Sequence, residues 1–223
     1  MGFEILKAGV NKNPFVGLFL KTNSTTTFVP KTSPKKFCAL CETVFGTRVA
    51  GLFVDESPFL GIFTALNDVG MVFPAFASDD ELALARKTGL NACRLEGPLT
   101  PGNVLLANNK ACLASPALTT KDASTVSDCL GVEVVQQAIA GVETVGASSV
   151  ATDKGILAYN EATETELKFL KKTFKVGNAV NSSTNLGMPF NGLSVVANAK
   201  GALIGELTTG FEVQHVFQAF SSD

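Results

Sequence analysis

The sequence predicts an α+β fold in which five similar units, each of about 44 residues, close into a ring. Three observations predict it: a glycine-to-turn spacing that occurs five times, a helical apolar pattern after each turn, and a short β-prone run after four of the helices. Because a unit of this size cannot bury its own core, the five are expected to share one, as a single domain over residues 1–223. The predicted units cover about 12–56, 57–98, 99–141, 142–187 and 188–223, and a strand within 1–10 closes the ring.

The turns define the repeat. In each unit a glycine is followed six residues later by Asn or Thr, and these turn residues are 44, 41, 44 and 46 positions apart. Asn and Asp tolerate positive φ and bond their own backbone, so Asn-Asp-x-Gly and Thr-Asp-Lys-Gly between apolar runs predict hairpins. Each glycine is then expected to begin a strand, and Asp153 and Lys154 of the fourth turn are expected to be solvated. The glycine and turn residues are Gly17 and Asn23, Gly61 and Asn67, Gly102 and Asn108, Gly146 and Thr152, and Gly192 and Asn198.

A helix is predicted downstream of each turn. The residues 15, 18 and 22 positions after the turn residue are apolar or small in every unit, which places them on one helical face. Four of these stretches begin with Ser or Thr and acids, as expected for a capped first turn. A propeller of four-stranded blades has a similar repeat length but no helix, so the helical pattern argues against it.

The N-terminal strand is expected to complete the fifth unit. That unit ends with its helix at Phe220 and has no strand after it, whereas the β-prone run from Phe3 to Leu6 belongs to no unit. Pairing between the two would close the ring and remove its exposed sheet edges.

The composition limits the class of partner. The net charge is −2, charged residues make up 17%, and no run of Lys and Arg exceeds two residues, so a broad basic face for duplex nucleic acid is not expected. No stretch approaches the roughly 18 apolar residues of a membrane helix. The five cysteines are an odd number in a chain too large to need a disulfide framework, which favours reduced thiols and the cytoplasm.

Three groups of residues could carry chemistry, and the repeat gives each a structural interpretation. Cys38 and Cys41 form a Cys-x-x-Cys motif, but other units carry aliphatic residues at these positions, which favours core packing. His215, the only histidine, aligns with Leu84 and Phe169 beside the buried stripe. Acids near the helix starts are expected to be solvated caps rather than acid–base pairs, and no cofactor or metal ion is predicted. These acids are Asp79, Asp80, Glu81, Glu164 and Glu166.

The remaining candidate for function is the end of the ring where the five glycines lie. The residues that follow the glycines are mostly small or apolar, with one asparagine among them. An uncharged, partly apolar end of this kind is typical of a protein-docking face, but the same residues could instead pack the central channel. They are Leu18, Ile62, Asn103, Ala147 and Leu193.

The sequence resembles the translation initiation factor six family, the ribosome anti-association factors of archaea and eukaryotes. The resemblance extends from about residue 15 to 220, and the absence of a long tail after the fifth helix favours an archaeal-type member. The matching stretches are SDDELALAR (78–86), LTPGNVLLANNKACLASP (99–116), DCLGVEVVQQAIAGVETVGA (128–147) and GELTTGFEVQHVFQAF (205–220).

The resemblance implies the pentein fold, an α–β propeller of five pseudo-symmetric units. It also implies a monomeric, cofactor-free factor, not an enzyme, that binds the large ribosomal subunit at its intersubunit face and sterically prevents joining of the small subunit. The implied roles extend to large-subunit maturation and control of translation initiation. The implied partners are large-subunit proteins next to the sarcin–ricin loop, limited rRNA, and a release GTPase with its partner protein.

The contact face of the family maps onto particular residues of this chain. By resemblance it falls on Gly102 and Asn103, and also on Ile62, Met188 and Pro189. Leu18 and Ala147 complete the candidate set through their positions beside the repeated glycines.

Two other classes of protein remain as alternatives. A pentein-fold amidine hydrolase or transferase would need a cysteine, a histidine and acids in the channel, but no cysteine follows Cys129. A generic scaffold ring would have the same architecture without a ribosomal partner.

Overall fold

The computed structural model describes residues 2–221 as five three-stranded sheets, five helices of nine to eleven residues, and short helical turns. The fold is mixed α+β, as predicted, and four of the sheets lie within one predicted unit each. Met1, Ser222 and Asp223, which belong to the predicted closing segment and fifth unit, lie outside the described residues.

Each sheet has an inner strand that faces the centre of the molecule, a middle strand and an outer strand. The inner strands are β2 (Lys21–Thr22), β5 (Ala65–Leu66), β8 (Leu105–Ala107), β11 (Val150–Ala151) and β14 (Val195–Ala197). The middle strands are β3 (Thr26–Pro30), β6 (Gly70–Phe73), β9 (Cys112–Ala114), β12 (Gly155–Ala158) and β15 (Gly201–Gly205). The outer strands are β4 (Arg48–Leu52), β7 (Asn91–Arg94), β10 (Val134–Gln136), β13 (Asn178–Asn181) and β1 (Glu4–Ala8).

The pairing is the same in all five sheets. The inner strand runs antiparallel to the middle strand across a hairpin, and the middle strand runs parallel to the outer strand. A parallel pair needs a crossover, and in the first four sheets a helix supplies it. In the fifth sheet the outer strand is β1, whose Glu4 lies opposite Gly201 and whose Ala8 lies opposite Gly205. This is the pairing predicted for the N-terminal strand.

The long helices begin where the sequence predicts. Ser78, Thr119, Thr163 and Thr209 each accept a hydrogen bond from a backbone N–H in the first turn, and three of these caps are reciprocated by a glutamate. No helix within residues 2–221 is long and apolar enough to cross a membrane. The long helices are α1 (Lys35–Phe45), α3 (Asp79–Lys87), α5 (Thr120–Leu130), α7 (Glu164–Phe174) and α9 (Gly210–Phe220).

The repeated glycines lie in short helical turns rather than at the starts of strands, so that part of the sequence prediction is wrong. Each inner strand has only two or three residues, and a single helical turn occupies the preceding positions. A segment of three or four residues is too short to show a helical period in the sequence. The turns are a 3-10 turn at Val16–Leu18, then α2 (Leu60–Phe63), α4 (Pro101–Val104), α6 (Val145–Ser148) and α8 (Asn191–Ser194).

The apolar core lies between units as much as within them. Phe28 of the first unit packs with Met71 of the second, and Phe45 of the first unit packs with Leu203 of the fifth. The units therefore bury their apolar faces against one another, as expected for repeats too small to hold a core alone.

Candidate functional site

The five short helical turns pack against one another through their glycines. A Cβ on Gly61 would lie 1.6 Å from the carbonyl oxygen of Gly17, and one on Gly102 would lie 1.9 Å from that of Gly61. Gly146 meets Gly102 in the same way at 2.5 Å, and Gly192 meets Gly146 at 2.1 Å. Gly17 in turn meets Gly192 at 2.2 Å, so the contacts link all five units. Only glycine lets backbones approach this closely, which explains its recurrence.

The residues that follow these glycines form a surface that we call the glycine face. None of the five short turns contains Asp, Glu, Lys or Arg. Leu18, Ile62 and Leu193 are half-buried, whereas Ala147 exposes only 7% of its surface. The face is therefore uncharged and largely aliphatic. Its members are Leu18, Ile62, Asn103, Ala147 and Leu193.

Asn103 supplies the polar side chain of the glycine face. Its Nδ2 donates a 2.9 Å hydrogen bond to Thr100 Oγ1, and its backbone N–H donates to Thr100 O at 3.0 Å. Its Oδ1 accepts no hydrogen bond from the residues that the structure describes. The amide is thus held in one orientation with an acceptor available to a partner. The preceding Gly102 is buried and contributes through the backbone packing described above.

The glycine face has an apolar rim. Met188 and Pro189 are half-buried and are separated from α8 by Phe190. Met188 exchanges two backbone hydrogen bonds with Thr184, of 2.9 and 2.7 Å. Phe59 precedes α2, is 37% exposed and lies 5.4 Å from the ring of Phe19. The seven candidate residues of the sequence thus occupy either these turns or the segment leading into α8.

At the opposite end of the inner strands, the turn asparagines join neighbouring units. Asn67 Nδ2 donates to Asn108 O at 3.2 Å, and Asn108 Nδ2 donates to Thr152 O at 3.1 Å. Asn198 donates to Asn23 O at 3.0 Å, and Asn23 donates to Asn67 O at 3.0 Å. The sequence identified these residues only as local turn formers, because nothing in a turn pattern shows contact with the next repeat.

The residue directly after the turn residue makes further hydrogen bonds between units in the first four units. These residues are Ser24, Asp68, Asn109 and Asp153. Asn109 Nδ2 donates to Asp68 Oδ2 at 2.8 Å and to Asp153 Oδ2 at 2.5 Å, and Asn109 N donates to Asp153 Oδ1 at 3.0 Å. Ser24 N donates to Asp68 Oδ1 at 2.8 Å. The expectation that Asp153 is merely solvated is therefore wrong, since its carboxylate ties the fourth unit to the third.

A cavity of about 70 Å³ lies between the inner strands and is lined by residues of all five units. Lys21 is the ionisable side chain in its lining; the remaining side chains are aliphatic or hydroxyl-bearing. A second cavity of about 70 Å³ adjoins it at the turn end and shares Thr22, Leu66 and three alanines with it. No carboxylate, thiol or imidazole of the described chain lines the first cavity.

The cysteines and the histidine have structural surroundings. Cys41 is fully buried in α1, and burial, with smaller effects from Cys38 and Glu42, raises the pKa of its thiol to about 12. His215 Nδ1 shares a 2.9 Å hydrogen bond with the hydroxyl of Ser182. The core-packing prediction for Cys41 is confirmed. Within residues 2–221 no group of three His, Cys, Asp or Glu side chains could hold a metal ion.

Acids in the first turns of four helices also bind the preceding unit. Glu81 accepts from Asp55 N at 2.7 Å, and Glu166 accepts from Ala140 N at 2.6 Å. Asp122 accepts from Glu96 N at 2.7 Å, and Glu212 accepts from Gly187 N at 2.9 Å. The expectation of simple solvated caps is therefore wrong for Glu81 and Glu166, which hold loops of the neighbouring unit. Asp79, Asp80 and Glu164 are exposed, as expected.

The comparison with known proteins places the chain in a family. Its residues 5–219 match the model of the eIF-6 family. The chain belongs to the translation initiation factor 6 family. It is 38% identical to translation initiation factor 6 of Pyrobaculum aerophilum, over 97% of this chain and 98% of the relative. The corresponding factor of Saccharolobus islandicus is 34% identical over 92% of this chain and 93% of its own length, and that of Picrophilus torridus is 31% identical over 97% and 100%.

Membership of the translation initiation factor 6 family confirms the resemblance seen in the four matching stretches of the sequence. These relatives are named as translation initiation factors rather than as enzymes. In this member of the translation initiation factor 6 family, the glycine face is uncharged and contains the oriented amide of Asn103. The sequence prediction does not include the inter-unit roles of Asn67, Asn108 and Glu166, because a turn or cap pattern describes only local contacts.

Proposed function

We propose that this chain acts in translation initiation by binding the large ribosomal subunit through the glycine face and preventing small-subunit joining by steric exclusion. Family membership supports the role in initiation. The observation that carries the choice of surface is an uncharged, aliphatic face around the oriented amide of Asn103. Such a face suits a protein partner better than a phosphate backbone, whose recognition relies on Lys and Arg.

The backbone under the glycine face supports tight docking. Each glycine contacts the carbonyl of the neighbouring unit, so the five turns are fixed relative to one another. A surface that is rigid before binding loses little conformational entropy when a partner docks. Leu18 and Ile62 can then contribute apolar contact area, and Asn103 can accept a directed hydrogen bond.

We include in this proposal a closed ring of the pentein type. Two contacts between the fifth unit and the first support it, Gly17 against Gly192 and Asn198 to Asn23, and so does the pairing of β1 with β15. A closed ring has two opposite ends. With the glycine face on the large subunit, the turn end with Asn109 and its neighbours would project into the space needed by the small subunit.

The partners follow from the same proposal. They are large-subunit proteins next to the sarcin–ricin loop, with limited rRNA contact in keeping with a net charge of −2. A GTPase and its partner protein would release the factor, which acts as a cytoplasmic monomer and also takes part in large-subunit maturation.

Sedimentation tests the proposal directly. Purified large subunits from an archaeon are mixed with the protein and separated on a sucrose gradient, and small subunits are then added under conditions that allow joining. The wild-type protein is expected to sediment with large subunits and to reduce the fraction of joined ribosomes. Asn103→Lys is expected to weaken binding at least about tenfold, because it forces an unpaired charge into the interface.

A matched control tests whether the effect depends on where the charge is placed or only on adding a positive charge to the protein. Ala199 is exposed at the turn end, so Ala199→Lys adds the same charge on the opposite side and is expected to retain binding. Thermal unfolding of both variants checks that they are folded. A folded Asn103→Lys variant with wild-type binding would contradict the assignment of the face, and failure of the wild-type protein to sediment with large subunits would contradict the function.

The amidine-hydrolase alternative has less support. The first cavity, where such chemistry would take place, is lined in the described chain by neither Cys, His, Asp nor Glu. His215 is engaged with Ser182 and lies 4.4 Å from the ring of Phe211. Release of ammonia or citrulline from arginine-like substrates by the purified protein would revive this alternative. A generic scaffold ring would neither sediment with large subunits nor affect joining.

A further inference from the structure

Lys21 is a cation in the first cavity without a compensating anion in the described chain. It lies in β2 opposite Phe28 of β3 and lines the cavity with residues of all five units. Its Nζ forms neither an ion pair nor a hydrogen bond with any residue between 2 and 221. Burial lowers the pKa of Lys21 to about 8, and no neighbouring carboxylate opposes this shift.

The repeat shows that an ammonium is not needed at this position for the fold. Two residues before the turn residue, the other four units carry apolar side chains. These four apolar side chains also line the first cavity, so the first unit differs from the other four in having a charged side chain at this position. The equivalents of Lys21 are Ala65, Leu106, Val150 and Val196.

The surroundings of Lys21 are strand edges and hydroxyl groups. Every inner strand is at the edge of its sheet, so its outward peptide N–H and C=O groups have no strand partner. Thr22 and Ser149 also line the cavity, and the hydroxyl of Thr22 is engaged with that of Thr27 at 2.7 Å. The lining thus combines one ammonium with strand edges that can supply peptide donors, and a carboxylate of the described chain is absent from it.

The size of the cavity limits what can occupy it. A volume of about 70 Å³ corresponds to roughly five water-sized spheres. The short helical turns close the glycine end, where no Cβ fits between them, whereas the second cavity connects the centre to the turn end. An ion of atomic size with a few waters fits this space, and a large organic anion does not.

We propose that this cavity binds one small monovalent inorganic anion of the halide class against the ammonium of Lys21. Lys21 is half-buried, and a charge held away from bulk water without a partner is unfavourable. An anion in the cavity compensates this charge while accepting hydrogen bonds from the peptide groups. The carboxylates of Asp68 and Asp153 line the second cavity, where both accept hydrogen bonds from Asn109, and neither forms an ion pair with Lys21. The anion therefore stabilises the packing of all five units around the cavity.

Crystals soaked in sodium bromide provide the first test. Anomalous diffraction at the bromine edge is expected to give a peak inside the cavity, in contact with Lys21 Nζ. In solution, the Tm is expected to rise with the logarithm of bromide concentration relative to sodium gluconate of equal ionic strength, because a ligand of the folded state stabilises it by mass action. Gluconate is too large to enter and so controls for general salt effects.

Lys21→Met removes the ammonium and retains a side chain of similar length, and the apolar equivalents indicate that the fold accepts it. This variant is expected to lose both the bromide peak and the bromide-dependent rise in Tm. Lys35→Met, at an exposed position in α1, removes the same charge elsewhere and is expected to keep both. A cavity that contains only water, or an equal bromide effect in Lys21→Met, would overturn the proposal; if that variant does not fold, the wild-type diffraction decides.

Discussion

The carbonyl oxygen of Gly17 occupies the place where a side chain on Gly61 would begin, since a Cβ there would come within 1.6 Å of it. Both atoms belong to backbone held in short helical turns of neighbouring units, so neither can move without disturbing its own unit. The contact shows that neighbouring units are joined through main-chain atoms at the glycine end of the molecule.

Gly61→Ala is expected to lower the free energy of unfolding by about 3 kcal/mol or more, because the added methyl group meets backbone and cannot be accommodated by a rotamer change. Chemical denaturation monitored by far-UV circular dichroism measures the loss. Gly210→Ala is the control, because a Cβ on Gly210 at the start of α9 meets nothing within 4 Å. That variant is expected to change stability by less than about 1 kcal/mol. If both substitutions changed the free energy of unfolding equally, the close backbone contact at Gly61 would not be important for stability.

Thr152 is the turn residue of the fourth unit, and unlike the four turn asparagines it has no side-chain amide that could donate to the next unit. Its hydroxyl accepts from Gly155 N of its own turn at 3.2 Å but has no amide with which to reach the fifth unit. Thr152→Asn is expected to donate to the carbonyl of Asn198, as the other four asparagines do to their neighbours, and to stabilise the fold by about 1 kcal/mol.

Asn108→Ala is the opposite change at the neighbouring turn. It removes donors to the buried carbonyls of Thr152 and Phe174 and is expected to cost more than about 2 kcal/mol. Thermal unfolding of both variants gives the comparison, at roughly 2–4 °C per kcal/mol for a chain of this size. A destabilised Thr152→Asn would indicate that the fourth turn cannot present the amide as its copies do.

Acid is expected to weaken the links made by the first-turn glutamates. Burial on its own would raise the pKa of Glu212, but hydrogen bonds from Thr209, Gly187 and Ser183 together hold it below its usual value of 4.5. The ionised form is therefore favoured in the folded state, so its stabilising effect is present above pH 4.5 and is lost as the pH falls through the folded-state pKa. Glu166 behaves in the same way through Thr163 and Ala140.

A double variant, Glu166→Gln with Glu212→Gln, is expected to be less stable than wild type at pH 7 and to show a flatter loss of stability between neutral pH and about pH 3. Urea midpoints measured across this range test it. Glu164→Gln serves as the control at an exposed first-turn position. An unchanged slope in the double variant would mean that other carboxylates dominate acid unfolding.

The buried thiols are expected to react slowly. Burial raises the pKa of Cys112 to about 12, and Cys41 has a similarly raised pKa because of burial and the nearby Cys38. At pH 7 both are thiols rather than thiolates, and neither is accessible. Mass spectrometry after brief iodoacetamide treatment is expected to show modification at these two residues only after unfolding. Rapid modification of Cys112 in the native protein would point to a reactive nucleophile.

The sequence predicted the repeat because its signals are local. Turn residues such as Asn67 must adopt particular backbone conformations in every copy, and caps such as Thr163 bond the first helical turn in four of the five. The pairing of the strand around Glu4 with the fifth unit could also be inferred, since that unit lacked its last strand. These predictions need only the order and number of strands and helices in each unit, and not the distances between side chains.

The details of the contacts between units could not be predicted in this way. The reach of Glu212 to Gly187 depends on a loop of the preceding unit whose position only the packed fold defines. The short helical turns at Gly17 and its copies are too brief to have a period, so they were assigned to strands. At the glycine face, the sequence identified Asn103, but the free Oδ1 and the tether to Thr100 appear only once side chains are placed.

The pairing of β1 with β15 has a consequence for synthesis. Residues 4–8 are synthesised almost 200 residues before their partners, residues 201–205. The strand must therefore wait, unpaired, while the units between them are made, and the fifth sheet is the last of the five that can be completed.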